Sequence, residues 1–339
     1  MHIITRQIFL KALGLCLAGF FALSQQAFAL SKPNAQAEAL AHYTMGSVHD
    51  WNGSFDKAVE EYKKAVAIDP DNYATHLRLG VAYGRTNQGD KAIEELKKAA
   101  DLNPKDIEAH YLLAILYSSQ SKDDKAGSEY EIILRKIVDE NPGSVQAFAL
   151  LGQLYYSQGK TQAAIDEFEK ALLKEPQSAE ILSILGSLYI DLPNREKGVE
   201  CFKKSIEIDP ENEGSLNSLG YLYAEEGKNL DEAIALIQRA LEVDPENGAY
   251  LDSMGWAYYQ KGDYEKARLF LERAIGFIKD PIIYDHLGDT YFKVNDMGAA
   301  LNSWEKSLEM EPAQENILKK ISDLKQGKLK IPPAQPTAQ

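Results

Sequence analysis

Residues 220–267 read GYLYAEEGKNLDEAIALIQRALEVDPENGAYLDSMGWAYYQKGDYEKA, and their spacing decides the fold. Gly220 is followed by Tyr223, Ala233, Ile237 and Pro245, and Gly255 then restarts the series with Tyr258 and Ala267. Working outward in both directions, the small residue returns at Gly46, Gly80, Ala114, Gly152, Gly186, Gly220, Gly255 and Gly288, at steps of 34, 34, 38, 34, 34, 35 and 33 residues. A glycine inside a helix costs roughly 1 kcal/mol against alanine. Seven in one phase need a compensating gain, and close approach of a second helix supplies it. Three residues beyond each small residue stands His49, Tyr83, Tyr117, Tyr155, Tyr189, Tyr223, Tyr258 or Tyr291.

A second small column follows at Ala58, Ala92, Ala126, Ala164, Gly198, Ala233, Ala267 and Ala300. Four residues later comes Tyr62, Leu96, Tyr130, Phe168, Phe202, Ile237, Leu271 or Trp304. Most units close on proline, at Pro70, Pro104, Pro142, Pro176, Pro210, Pro245 and Pro312. Proline cannot continue a helix and turns the preceding residue away from helical geometry. The Gly and Tyr columns, with leucines such as Leu79 and Leu185 before the glycine, mark one face of a helix A. The Ala and Phe columns mark one face of a helix B. Between them Gly53, Gly159, Gly227 and Gly262 suit a left-handed turn position, where Asn295 can substitute.

The columns together read L-G-x2-Y … A-x3-F … P with a period near 34 residues, and in this the chain resembles tetratricopeptide repeat proteins over residues 39–314. The resemblance implies an all-α, right-handed α-solenoid of eight helix-turn-helix units, starting near 39, 73, 107, 145, 179, 213, 248 and 281. The third unit is four residues longer, which reads as one extra turn in its helix B over Glu129–Glu140. The sixth has one added residue in its A–B turn, and the seventh ends without the usual proline, Pro281 opening the next unit. Residues 315–327 read as a capping helix striped by Ile317, Leu318, Ile321 and Leu324; residues 328–339 read as a disordered, proline-rich tail.

The N-terminus reads as an export signal. Arg6 and Lys11 precede the apolar run Ala12–Leu23, and Ala27-Phe28-Ala29 offers a cleavage site after Ala29. Cleavage places the mature protein in the periplasm; an uncleaved inner-membrane anchor is the alternative. A lipoprotein is argued against by Leu15 before Cys16, where a small residue is needed. Residues 30–38 read as a linker. Loss of residues 1–29 changes the net charge from −14 to −16 and leaves Cys201 as the only cysteine. That charge argues against nucleic acid and anionic membranes as partners, and one cysteine forms no intramolecular disulfide.

The sequence carries no nucleophile elbow, zinc-protease, P-loop or dinucleotide motif, so neither enzyme chemistry, metal nor cofactor is expected. His42, His76 and His110 share one helix A position, four residues before the small column, and read as packed histidines, as does His286 beside Leu287. The acidic pairs Glu60/Glu61, Glu94/Glu95 and Glu225/Glu226 sit among lysines at helical spacing and read as solvated faces.

The functional signal lies on the other side of helix A. A face open to solvent is normally polar. Here it carries Tyr43, Trp51, Leu77, Val81, Tyr111, Ile115, Tyr156, Ile190, Tyr221, Trp256, Tyr259 and Phe292, with Asp191, Glu225, Asp252, Asp285 and Asp289 interleaved later. Packing against the neighbouring helix A accounts for part of this set. The remainder, aromatics above all, is expected to line a concave groove for a partner's peptide or helix. The resemblance implies the same surface. The Lys and Asn of one well-known variant that grips a C-terminal carboxylate are absent, their places taken by Tyr43, Ser47, Leu77 and Val81. The groove is thus expected to be apolar in its first half and acidic in its second, favouring basic or amide-rich segments. Residues 217–267 also look like bacterial envelope tetratricopeptide proteins that dock proteases or assembly factors. The expected function is a non-catalytic adaptor; an enzyme on a helical scaffold and self-association through the groove or the end caps are the alternatives.

Overall fold

The computed structural model describes residues 33–329. The export signal of residues 1–29 lies outside the described residues, as does the expected tail from residue 330 on. Among the described residues there are seventeen helices and no strand. They fall in two compact units, divided between Ser121 and Lys122.

The first unit holds α1 (Pro33–Trp51), α2 (Phe55–Ile68), α3 (Tyr73–Arg85), α4 (Gly89–Leu102) and α5 (Glu108–Ser119). The second holds α6 (Asp123–Glu140), α7 (Val145–Ser157), α8 (Thr161–Lys174), α9 (Ala179–Asp191), α10 (Arg195–Ile208), α11 (Glu213–Glu225), α12 (Leu230–Val243), α13 (Gly248–Lys261), α14 (Tyr264–Phe277), α15 (Pro281–Lys293), α16 (Met297–Met310) and α17 (Glu315–Lys325). Seven complete A–B hairpins therefore lie within units, and the third repeat gives its helix A to one and its helix B to the other.

The columns are explained by contact across each hairpin. A Cβ built at Gly186 would lie 2.6 Å from the Phe202 ring, and one at Gly220 would lie 2.6 Å from Ile237. Each large helix B residue thus fills the space that the helix A glycine leaves open. Phe168, Phe202, Ile237, Leu271 and Trp304 are all at most 1% exposed, and each such burial stabilises by about 1.5–3 kcal/mol. Asn72, Ser144, Ser178, Asn212, Asn247 and Asp280 cap the following helix A by accepting a backbone N–H in its first turn.

The length changes have visible causes. α6 has 18 residues where most helices B have 14, one additional turn. The added residue of the sixth repeat makes a second left-handed position, Asn229, after Gly227. At the seventh, Ile278 is extended, and Asp280 caps α15 with Pro281 in its first turn.

Two expectations are corrected. α1 begins at Pro33, inside the stretch 30–38 read as linker, because alanine and glutamate continue the helix back to a proline tolerated at its start. In α17, Ile317 and Ile321 pack with Trp304 and Phe292, joined by Leu324 and by Leu329 beyond the helix, whereas Leu318 is 51% exposed. Leu318 follows Ile317 by a 100° turn, which carries it off the buried stripe.

Candidate functional site

In the second unit the helices A lie side by side: α9 touches α11, α11 touches α13, and α13 touches α15. The face expected to form the groove is built from these helices. Tyr156 of α7 is 44% exposed and donates its hydroxyl to Asp191 of α9 at 3.0 Å. Ile190 and Tyr221 are half-buried. Burial, with Glu225 close by, pushes the Tyr221 phenol up to about 12.

Trp256 forms the centre of an aromatic stack. Its ring lies parallel to Tyr259, 4.8 Å between centroids, and to the His286 imidazole on α15 at 4.1 Å. Asp252, one turn before Trp256, holds His286 through Nδ1 at 2.9 Å. Asp285 and Asp289 converge on Lys320 of the capping helix, each with an oxygen 2.7 Å from Nζ, and Asp289 also accepts the Trp304 indole N–H at 3.1 Å. Burial pushes the Asp289 carboxyl above its usual range despite the lysine. Burial likewise raises the Tyr259 phenol.

Each acid expected to read a basic partner is therefore already engaged within the chain. Asp191 takes Tyr156, Glu225 takes Arg195 at 2.9 Å, Asp252 takes His286, and the last two take Lys320. The second half keeps its carboxylates beside the aromatic rings, each with a partner inside the chain but with Arg195 and Lys320 as the cations among those partners.

Three further expected groove residues are not groove surface. Leu77, Asp252 and Phe292 are 3%, 7% and 9% exposed. Leu77 is buried within the first unit, Asp252 is turned against His286, and Phe292 tilts onto Trp304 at 6.2 Å. In the first unit Tyr43 packs on Tyr62 at 5.8 Å, Val81 and Tyr111 are half-buried, Ile115 is 42% exposed, and Trp51 stands 91% exposed at the end of α1.

The sequence reading missed two features. Lys320 lies on a helix read only as a cap, and nothing in its spacing pointed to its acid partners. A cavity of about 1000 Å³ opens on the helix B side, among Leu172, Leu173, Pro176, Leu182 and Ile208. Its signal was Leu173, at an outward position and 78% exposed. Among the described residues no group of three metal-ligating side chains could hold an ion.

Family models described as tetratricopeptide repeat match residues 52–127 and 133–188, 211–280, and 179–212 with 282–314. The chain belongs to the tetratricopeptide repeat family. No curated protein matches its sequence. Among solved structures it is similar to the Cut9–Hcn1 hetero-tetramer of APC/C, at 18% identity and TM-score 0.55, over 80% of this chain and 52% of that one. It is also similar to TTC0263, a thermophilic tetratricopeptide protein of Thermus thermophilus, at 23% identity and TM-score 0.46, over 54% of this chain and all of the other. A tetratricopeptide repeat protein from Parabacteroides merdae aligns at 18% identity and TM-score 0.43, over 85% of this chain and 99% of its own. The first of these likenesses supports the repeat-solenoid fold. Tetratricopeptide proteins generally bind protein partners and are typically non-catalytic scaffolds.

Proposed function

We propose that the chain is a non-catalytic adaptor, exported to the bacterial envelope after cleavage behind Ala29, which captures a segment of a partner protein. The capture surface is the helix A face of the second unit. One observation carries this reading: the face bears Tyr156, Ile190, Tyr221, Trp256 and Tyr259, at least partly exposed, where a solvent face would be polar. The aromatic rings select a segment with apolar or aromatic anchors, and the carboxylates beside them, only partly matched by Arg195 and Lys320, favour basic residues between those anchors. Service to a protease or to an envelope assembly machine fits such an adaptor, and rests on the likeness of residues 217–267 alone.

The test places a photo-crosslinking residue at Tyr156 or Tyr221 in growing cells. Discrete adducts that vanish with Trp256→Ala plus Tyr259→Ala, while the far-ultraviolet circular dichroism is kept, support the groove. Adducts unchanged by the double substitution overturn it. Mass spectrometry of the same protein checks export: a chain starting at Leu30 is expected, and an intact Met1 end in a soluble fraction contradicts it.

A further inference from the structure

The first helix of the first unit leaves one side bare. Leu40, Met45, Val48 and Trp51 of α1 are 63%, 47%, 46% and 91% exposed. At 100° per residue they share one stripe with Thr44, opposite the side that buries Ala39 and Gly46. One repeat further on, the slots of Met45 and Val48 are held by Leu79 and Ala82, which are 2% and 0% exposed and pack with Ala58, Val59 and Tyr62 of α2. The same slots in α13 hold Met254 and Ala257, both fully buried. Every later helix A within a unit rests on the preceding helix B. For α1 among the described residues there is no preceding helix, so the slots of Met45 and Val48 are left open; Leu40 and Trp51 extend that open surface, the Trp51 slot being exposed in the next repeat too, at Arg85.

We propose that a second copy of α1 covers the stripe, antiparallel, making a twofold-symmetric dimer. Three observations select that occupant. The stripe is uncharged apart from Glu38 at its edge, on a chain of net charge −14, so it is the face on which two copies meet without repulsion. Its shape is self-complementary only in the antiparallel sense. The stripe runs from small residues, Ala37 and Ala41, to the bulky Val48 and Trp51, so pairing centred on Thr44 seats each Trp51 against the partner's small end and each Val48 on a Leu40. A parallel pair would press tryptophan on tryptophan. The Thr44 hydroxyl already donates to the Leu40 carbonyl at 2.8 Å, so burying it strands no donor.

From Ala37 to Trp51 the seam is roughly 21 Å long at 1.5 Å per residue. A single helix seam of that length makes a small interface, and a weak, concentration-dependent dimer is expected. The contact is independent of the proposed groove, which lies in the other unit.

The experiment is sedimentation velocity on the full chain from low to high micromolar concentration. A monomer–dimer equilibrium is expected, weakened more than tenfold by Val48→Glu and by Met45→Glu with circular dichroism unchanged. Thr44→Cys should give a covalent dimer on air oxidation in a Cys16→Ser, Cys201→Ser background, and Ala37→Cys should not, because Ala37 faces Trp51. A monomer at every concentration overturns the proposal, and is what cover by the chain's own N-terminal segment would produce. A dimer indifferent to both glutamates, or crosslinked equally well from residue 37, overturns it too.

Discussion

The two units differ in how the side chains of their helices A are tied. In the first, histidines tie α1 and α3 to the helix B of their own hairpins: His42 Nδ1 meets Glu61 at 2.6 Å, and His76 Nδ1 meets Glu95 at 2.5 Å while its Nε2 meets the Pro70 carbonyl at 2.8 Å. Both pairs are 19 residues apart. In the second, ties run between successive repeats, from Tyr156 to Asp191, Asp252 to His286 and Asp285 to Lys320, 34 or 35 residues apart. Each unit also holds a tie of the other kind: the exposed pair Asp50 with Arg85 in the first, and the Trp304 indole with Asp289 of its own hairpin in the second. The first unit therefore locks hairpins, and the second locks the row of helices on which the proposed groove lies. A groove built on a fixed row binds with less ordering cost than one that must be assembled by its ligand.

The comparison breaks most sharply at His76, which is 2% exposed and satisfies a carboxylate only 13% exposed. His76→Ala leaves the Pro70 carbonyl without its partner and Glu95 with only Lys98 at 3.6 Å, and is expected to cost about 3 kcal/mol. His42→Ala, whose pair is 28% and 19% exposed, is expected to cost under about 1 kcal/mol. Urea unfolding of both variants, followed at a probe in the first unit, checks the contrast; equal losses would show that burial does not set it.

Second in size is the lock of the other unit. Asp252→Ala strips a buried partner from His286 and loosens the imidazole on which Trp256 stacks, at an expected cost of about 2 kcal/mol. Near-ultraviolet circular dichroism of the tryptophan should change with it. A stability loss with an unaltered tryptophan signal would separate the lock from the aromatic stack.

The pH response should distinguish the units as well. The Glu95 hydrogen bond, opposed by burial and aided by the Pro70 carbonyl, raises the His76 pKa above the ordinary 6.5. A raised folded-state value means that the charged ring contributes its full stability below about pH 6.5. The contribution is lost as pH rises through the folded value. The first unit should therefore unfold at lower urea in alkaline than in mildly acidic buffer, and His76→Ala should flatten that slope. A slope that survives the substitution places its origin elsewhere.

The repeat frame was legible because it is written in residue size: glycine opposite a large side chain is a contact that spacing alone reveals. Gly186 with Phe202 and the left-handed Gly53 or Gly262 follow from such rules. The proposed capture face was legible only in outline. Trp256 and Tyr259 stand where the helical phase puts them, but phase cannot say that Asp252 would turn to His286 or that Leu77 would be covered. Those outcomes depend on the small rotation from one hairpin to the next, which no single repeat encodes. Lys320 was invisible for the same reason, its partners lying 35 and 31 residues away on a helix of different phase.

Lys320→Met tests whether the capping helix or the groove owns the last two carboxylates. Asp285 and Asp289 would lose their shared ammonium, with an expected cost of about 1 kcal/mol, because the lysine is partly exposed and Trp304 still donates to Asp289. Burial already raises the Asp289 carboxyl, and without Lys320 it should rise further. A carboxylate whose folded pKa is raised destabilises above that value, so the variant's deficit should shrink as the buffer is made acidic. Repelling charges at a row's end are relieved either by protons or by a cation, and a partner's lysine would serve as well as the chain's own. The variant should thus gain affinity for basic peptides relative to the native chain. Failure to gain it would mean that Tyr259 and the capping helix close the notch even without the ion pair, leaving the face from Tyr156 to Tyr259 as the proposed reading surface.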